Sequence, residues 1–108
     1  MPKVTFEVES EAEPLLIVST QDAAGKPVNQ IVDLKPAGAS TRTGSLTVPS
    51  NQTQFLTWIF TGSPGTKYKI TLSPQAKITL KRSDNPIVSS IATTHLTTSG
   101  SDRFEVAP

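Results

Sequence analysis

Short runs in which apolar and polar residues alternate recur along this chain about every ten residues, each closed by proline, glycine or asparagine. A strand turns successive side chains to opposite faces, so a period of two marks an extended segment with one buried face. A recurrence near ten leaves room for strand, turn and strand, and for little helix. In Val4-Thr5-Phe6-Glu7-Val8-Glu9 the apolar set is Val4, Phe6 and Val8. Leu15-Leu16-Ile17-Val18, entered from Pro14, is apolar throughout and is expected to be a central strand buried on both faces. Further strands are expected near Val28–Leu34, at Gly44–Val48 before Pro49, and at Gln54–Thr61. In the last of these Leu56, Trp58 and Phe60 oppose Phe55 and Ile59.

Lys67–Leu72 and Lys77–Lys81 alternate cleanly, with Tyr68, Ile70, Leu72, Ile78 and Leu80 inward, and their closeness in sequence predicts a hairpin. Turn residues at Gln21–Pro27, Pro36–Ser40, Gly62–Gly65, Ser83–Pro86 and Ser99–Ser101 separate the runs. Ile87–Ile91, Thr93–Thr97 and Arg103–Val106 complete the chain. About eight or nine short strands result, the pattern of a β-sandwich or a small barrel. At 108 residues one domain over the whole length, residues 1–108, is expected.

Pro64-Gly65-Thr66-Lys67-Tyr68-Lys69-Ile70 resembles the turn into strand F of fibronectin type III domains, where such a run positions a buried tyrosine. The resemblance implies an antiparallel, immunoglobulin-like or fibronectin-III-like β-sandwich. It further implies that the Tyr68 hydroxyl bonds to backbone near the preceding turn.

Composition removes several chemistries. There is no cysteine and one histidine, His95, so the usual zinc ligand sets are out of reach and a bound metal would be oxygen-ligated; none is expected. His95 lacks a Gly-x-Ser-x-Gly elbow and reads as a surface residue rather than a catalytic base. Glu7, Glu9, Glu11 and Glu13 read as the solvated face of an edge strand, with no calcium-loop spacing. Gly62–Thr66 lacks the Gly-Lys-Ser/Thr ending of a phosphate loop. A non-enzymatic protein without a cofactor is expected. Met1–Ser10 carries no signal-peptide pattern, and no apolar run is long enough for a transmembrane helix.

The charges are distributed unevenly. Residues 35–82 hold Lys35, Arg42, Lys67, Lys69, Lys77, Lys81 and Arg82 and no acid, while residues 1–34 are acidic; the net charge of +1 hides this. On the hairpin reading Lys67, Lys69, Lys77 and Lys81 share one outward face beside Arg82. Like charges so placed gain from an opposite charge nearby. Phe55 and Ile59 form the second candidate surface, opposite Trp58. These seven side chains are the candidate ligand-binding residues of an interaction or structural module. Its expected partner is a protein or a second copy of the chain. The alternative is a module binding carbohydrate or an anionic polymer through the basic hairpin and exposed aromatics.

Overall fold

The computed structural model describes residues 1–21 and 24–108. It is an all-β sandwich of two antiparallel five-stranded sheets. The strands are β1 (Lys3–Ser10), β2 (Glu13–Gln21), β3 (Pro27–Ile31), β4 (Lys35–Pro36) and β5 (Thr41–Thr47), followed by β6 (Gln54–Thr61), β7 (Lys67–Ser73), β8 (Ile78–Leu80), β9 (Ile87–Ser90) and β10 (Thr97–Val106). The first sheet has the order β4-β5-β1-β7-β9 and the second β3-β2-β6-β10-β8. Only β2–β3 and β4–β5 follow each other within one sheet; the other connections cross between sheets. Asp22 and Ala23, within the turn expected at Gln21–Pro27, lie outside the described residues.

The period-two pattern is realised as burial. Val4, Phe6 and Val8 of β1 and Tyr68, Ile70 and Leu72 of β7 are buried, as are Leu56, Trp58 and Phe60 of β6 and Phe104 and Val106 of β10. Aromatic side chains join the sheets. Phe6 and Phe104 meet edge to face with centroids 6.3 Å apart, and Phe60 stacks on Tyr68 at 4.1 Å. Such pairs add about 0.5–1.5 kcal/mol to the burial of the rings themselves.

Five expectations need correction. The β7–β8 hairpin does not exist: after β7 a 3-10 turn at Gln75–Lys77 leads the chain into the opposite sheet, where β8 pairs with β10. β1 is no edge strand, since it pairs with β5 on one side and β7 on the other. In β2, Leu16 and Val18 are buried but Leu15 is 37% exposed and Ile17 half-buried, so one face only is covered. No strand forms over Thr93–Leu96, where the His95 amide donates to the Ala92 carbonyl in a turn. Ser99-Gly100-Ser101 is the middle of the continuous strand β10.

The Tyr68 hydroxyl has a different partner from the one the fibronectin resemblance implies. It accepts a hydrogen bond from the Trp58 indole Nε1–H at 3.1 Å, linking the two sheets inside the core.

Candidate functional site

The two outer faces differ in chemistry. On the first sheet Thr5 and Glu7 of β1 flank Thr43 and Ser45 of β5 and Thr71 and Ser73 of β7, and the Thr5 and Ser45 hydroxyls are hydrogen-bonded at 3.1 Å. Lys69 stands directly opposite Glu9 in the ladder, with its ammonium 3.6 Å from the carboxylate. This face is mostly Ser, Thr and charged residues, with the Lys69–Glu9 pair near its centre and one large exposed apolar side chain, Val88, opposite Lys69 on β9.

Arg42 of β5 reaches Glu13 of β2 through two bonds of 2.8 and 3.2 Å, tying the first sheet to the second. The hydrogen bond and the charge of Arg42 lower the Glu13 pKa, and the bond to Glu13 raises that of Arg42. Both groups are exposed, so the pair contributes little to stability.

On the second sheet the register assembles apolar residues from three strands. Leu15 lies opposite Ile59, Ile17 lies between Ile31 and Thr57, and Ser19 lies opposite Phe55. Ile31 is 65% and Phe55 44% exposed. An aliphatic and aromatic strip thus runs across β3, β2 and β6 in contact with solvent, while the other faces of the same strands fill the core.

Phe55 is also the point where this strip meets a basic cleft of about 550 Å³. Arg103 stands opposite Phe55 in the β6–β10 ladder and holds its guanidinium 5.5 Å above the ring centroid. The Lys81 amide donates to the Arg103 carbonyl, continuing the β8–β10 register so that Lys81 faces Arg103. Arg82 follows, its Nη2 donating to the Ser101 carbonyl at 2.8 Å. Lys81, Arg82 and Arg103 therefore line the cleft together with Thr57 and Ser101.

The acid beneath this cleft is consumed internally. Asp102 is 2% exposed and its carboxylate accepts the amides of Arg82 at 3.0 and 3.1 Å and of Arg103 at 2.7 Å. Burial alone would raise its pKa, but the hydrogen bonds from the Ser83 hydroxyl and from the Arg103, Arg82 and Ser83 amides outweigh it, and the pKa is lowered. The carboxylate holds the end of β8 against β10 and so fixes the backbone that carries Arg82 and Arg103.

Comparison with known protein families, curated proteins and solved structures gave no match.

The candidate residues divide accordingly. Lys67 and Lys69 belong to β7 of the first sheet, Lys77 ends the 3-10 turn, and Lys81 and Arg82 follow β8 of the second sheet. No single lysine face exists, because the hairpin meant to carry it is absent. Phe55 and Ile59 do share the outer face of β6. Arg103 was not among the expected residues, although Arg103-Phe104-Glu105-Val106 alternates and already places Arg103 outward. Its position beside Phe55 and Lys81 depends on register, which local alternation does not contain.

Among the described residues no three of His, Cys, Asp or Glu are grouped to hold a metal, and no helix is long and apolar enough to cross a membrane. His95 is exposed in the turn before β10.

Proposed function

We propose that this chain is a non-enzymatic interaction module that docks a protein through the outer face of its second sheet. The observation that carries this reading is the asymmetry of the two outer faces. One is a mainly Ser/Thr and charged surface whose single large exposed apolar side chain, Val88, stands alone at β9, whereas the other exposes Leu15, Ile31 and Phe55 in one strip. Covering such a strip removes apolar area from water at roughly 25 cal/mol per Å², the main drive for protein association. Strand geometry supports the reading, because a sheet face is flat, is held rigidly by the ladder and needs no reorganisation before contact. The immunoglobulin-like subtype suggested by the turn at Pro64–Ile70 belongs to this proposal and not to the fold itself.

A photo-crosslinking residue at Ile31, which lies in the strip and outside the basic cleft, tests it in cells expressing the chain. A discrete protein adduct is expected from that position and none from the same residue at Thr71 on the polar face. An adduct of twice the chain mass would identify a second copy as the partner. Equal labelling from both positions, or none from either, would remove the reading.

A further inference from the structure

We propose that the cleft between Phe55, Lys81, Arg82 and Arg103 binds a segment of acidic polysaccharide. The first argument is electrostatic. Lys81 and Arg103 face each other across the continuation of the β8–β10 ladder, and Glu105, which lines the adjoining cavity with both, offsets only one of these two like charges. Arg82 adds a third cation to the same cleft, with side chains 71% exposed for Arg82 and 0% for its neighbour Asp102 in their 4.0 Å contact. Among the described residues Asp102 is the one acid lining the cleft; it accepts the Arg82 and Arg103 amides and lies 4.0 Å from the Arg82 guanidinium, while Glu105 lies in the adjoining cavity and Asp84 in neither.

The second argument is preorganisation. Arg82 is held by the Ser101 carbonyl and Arg103 by the Phe55 ring, so the two guanidinium groups lose little rotamer freedom when an anion arrives. The Asp102 carboxylate fixes the backbone beneath both. Guanidinium forks match carboxylate and sulfate oxygens in pairs, and Lys81 supplies a point charge beside them.

The third argument concerns the class of polymer. Thr57 and Ser101 place hydroxyls among the cations and Phe55 supplies an apolar wall, a combination suited to a sugar ring that carries hydroxyls, C–H groups and one anionic substituent. A nucleic acid wants aromatic faces for successive bases and a charge track along its backbone. Here the guanidinium of Arg103 sits over the Phe55 ring, and Lys67 and Lys69 lie on the opposite sheet, so the track does not continue.

Titration of the whole chain with a heparin octasaccharide and a galacturonate octamer tests the proposal and separates sulfate from carboxylate recognition. At least one should bind at low ionic strength and weaken with added salt, as a screened charge contact must. Neutral dextran and a thymidine oligonucleotide of matched charge serve as comparisons. Lys81→Ala with Arg103→Ala should weaken glycan binding by about tenfold or more, whereas Lys67→Ala with Lys69→Ala, which removes the same charge from the other sheet, should change it by less than about twofold. If the first pair lowers the thermal midpoint, Lys81→Glu alone replaces it and the same loss is required. Three results would each overturn the proposal: neither glycan binds, the Lys81/Arg103 and Lys67/Lys69 double variants weaken binding equally, or the oligonucleotide binds as tightly as the glycan. None of them bears on the Ile31 crosslink, so the two readings fail separately.

Discussion

Gly100 lies directly opposite Trp58 in the β6–β10 ladder, and a β-carbon at Gly100 would come within 2.5 Å of the indole carbons and 2.6 Å of its nitrogen. The indole occupies the space that any other residue in β10 would fill. A glycine inside a strand weakens it unless something packs into the gap, and here the largest core side chain does. Gly100→Ala should therefore displace Trp58 and disturb its bond to Tyr68, lowering stability by about 2 kcal/mol, within the usual range for overpacking a core. Denaturant unfolding followed by tryptophan fluorescence reads both effects. An unchanged midpoint and emission maximum would contradict the packing described.

The Trp58–Tyr68 hydrogen bond joins the two sheets where both side chains are buried. Tyr68→Phe leaves the indole N–H without its acceptor, and an unpaired buried donor costs about 1–3 kcal/mol. A double-mutant cycle with Trp58→Phe should show coupling above about 0.5 kcal/mol, as expected for residues in contact. Additive losses would instead place the tyrosine hydroxyl on backbone, as in a fibronectin corner.

Gln54 begins β6 on its inward face and is fully buried, and neither its Nε2 nor its Oε1 has a hydrogen-bond partner among the described residues. Burying an amide unsatisfied is unfavourable, whereas a thioether of similar shape has little polar surface to desolvate. Gln54→Met should raise stability by about 1 kcal/mol or more. A fall in the denaturant midpoint would show that the amide is bonded in solution.

Asp102 makes the fold acid-sensitive at a defined place. Its pKa is lowered in the folded chain relative to an ordinary aspartate near 3.9. The unfolded state therefore takes up the proton first as pH falls, and the stabilisation is complete above about pH 4 and lost as pH drops through the folded value. Asp102→Asn should cost about 2 kcal/mol near neutrality, the scale of hydrogen bonds to a charged group. The gap from wild type should then narrow as pH falls below the ordinary aspartate range and the wild-type carboxylate begins to protonate. Denaturant midpoints for both proteins across that range check this; a gap independent of pH would mean that the charge is not what the Arg82 and Arg103 amides bind.

Local alternation alone was enough to place most strands and to choose their inward faces. The bounds of Gln54–Thr61 were legible to the residue, and Val4, Phe6, Val8, Tyr68, Ile70 and Leu72 are all buried as their spacing requires, whereas in Gln54–Thr61, apolar on both faces, only the fold makes Leu56, Trp58 and Phe60 the buried set. Each of those inferences depends on neighbours two positions apart, and the chain direction inverts side chains at every step whatever the partner strand. Sheet membership is another matter. β7 and β8 look like one hairpin because they are close in sequence and equally alternating, yet they end in different sheets. Glu7 and Glu9 read as an exposed edge because charge is common there, yet β1 is central and its outer face simply meets solvent. Leu15 and Ile17 read as doubly buried because both are large and apolar, yet among the described residues no second layer covers their side of the second sheet. Gly100 read as a turn because its role, leaving room for Trp58, comes from a strand about forty residues away in the chain. The basic cleft has the same origin. Phe55 comes from β6, Lys81 from the residue just after β8 and Arg103 from β10, and only the pairing of β6 and β8 on either side of β10 brings them together. Periodicity records which way a side chain points, and non-local pairing decides what it points at.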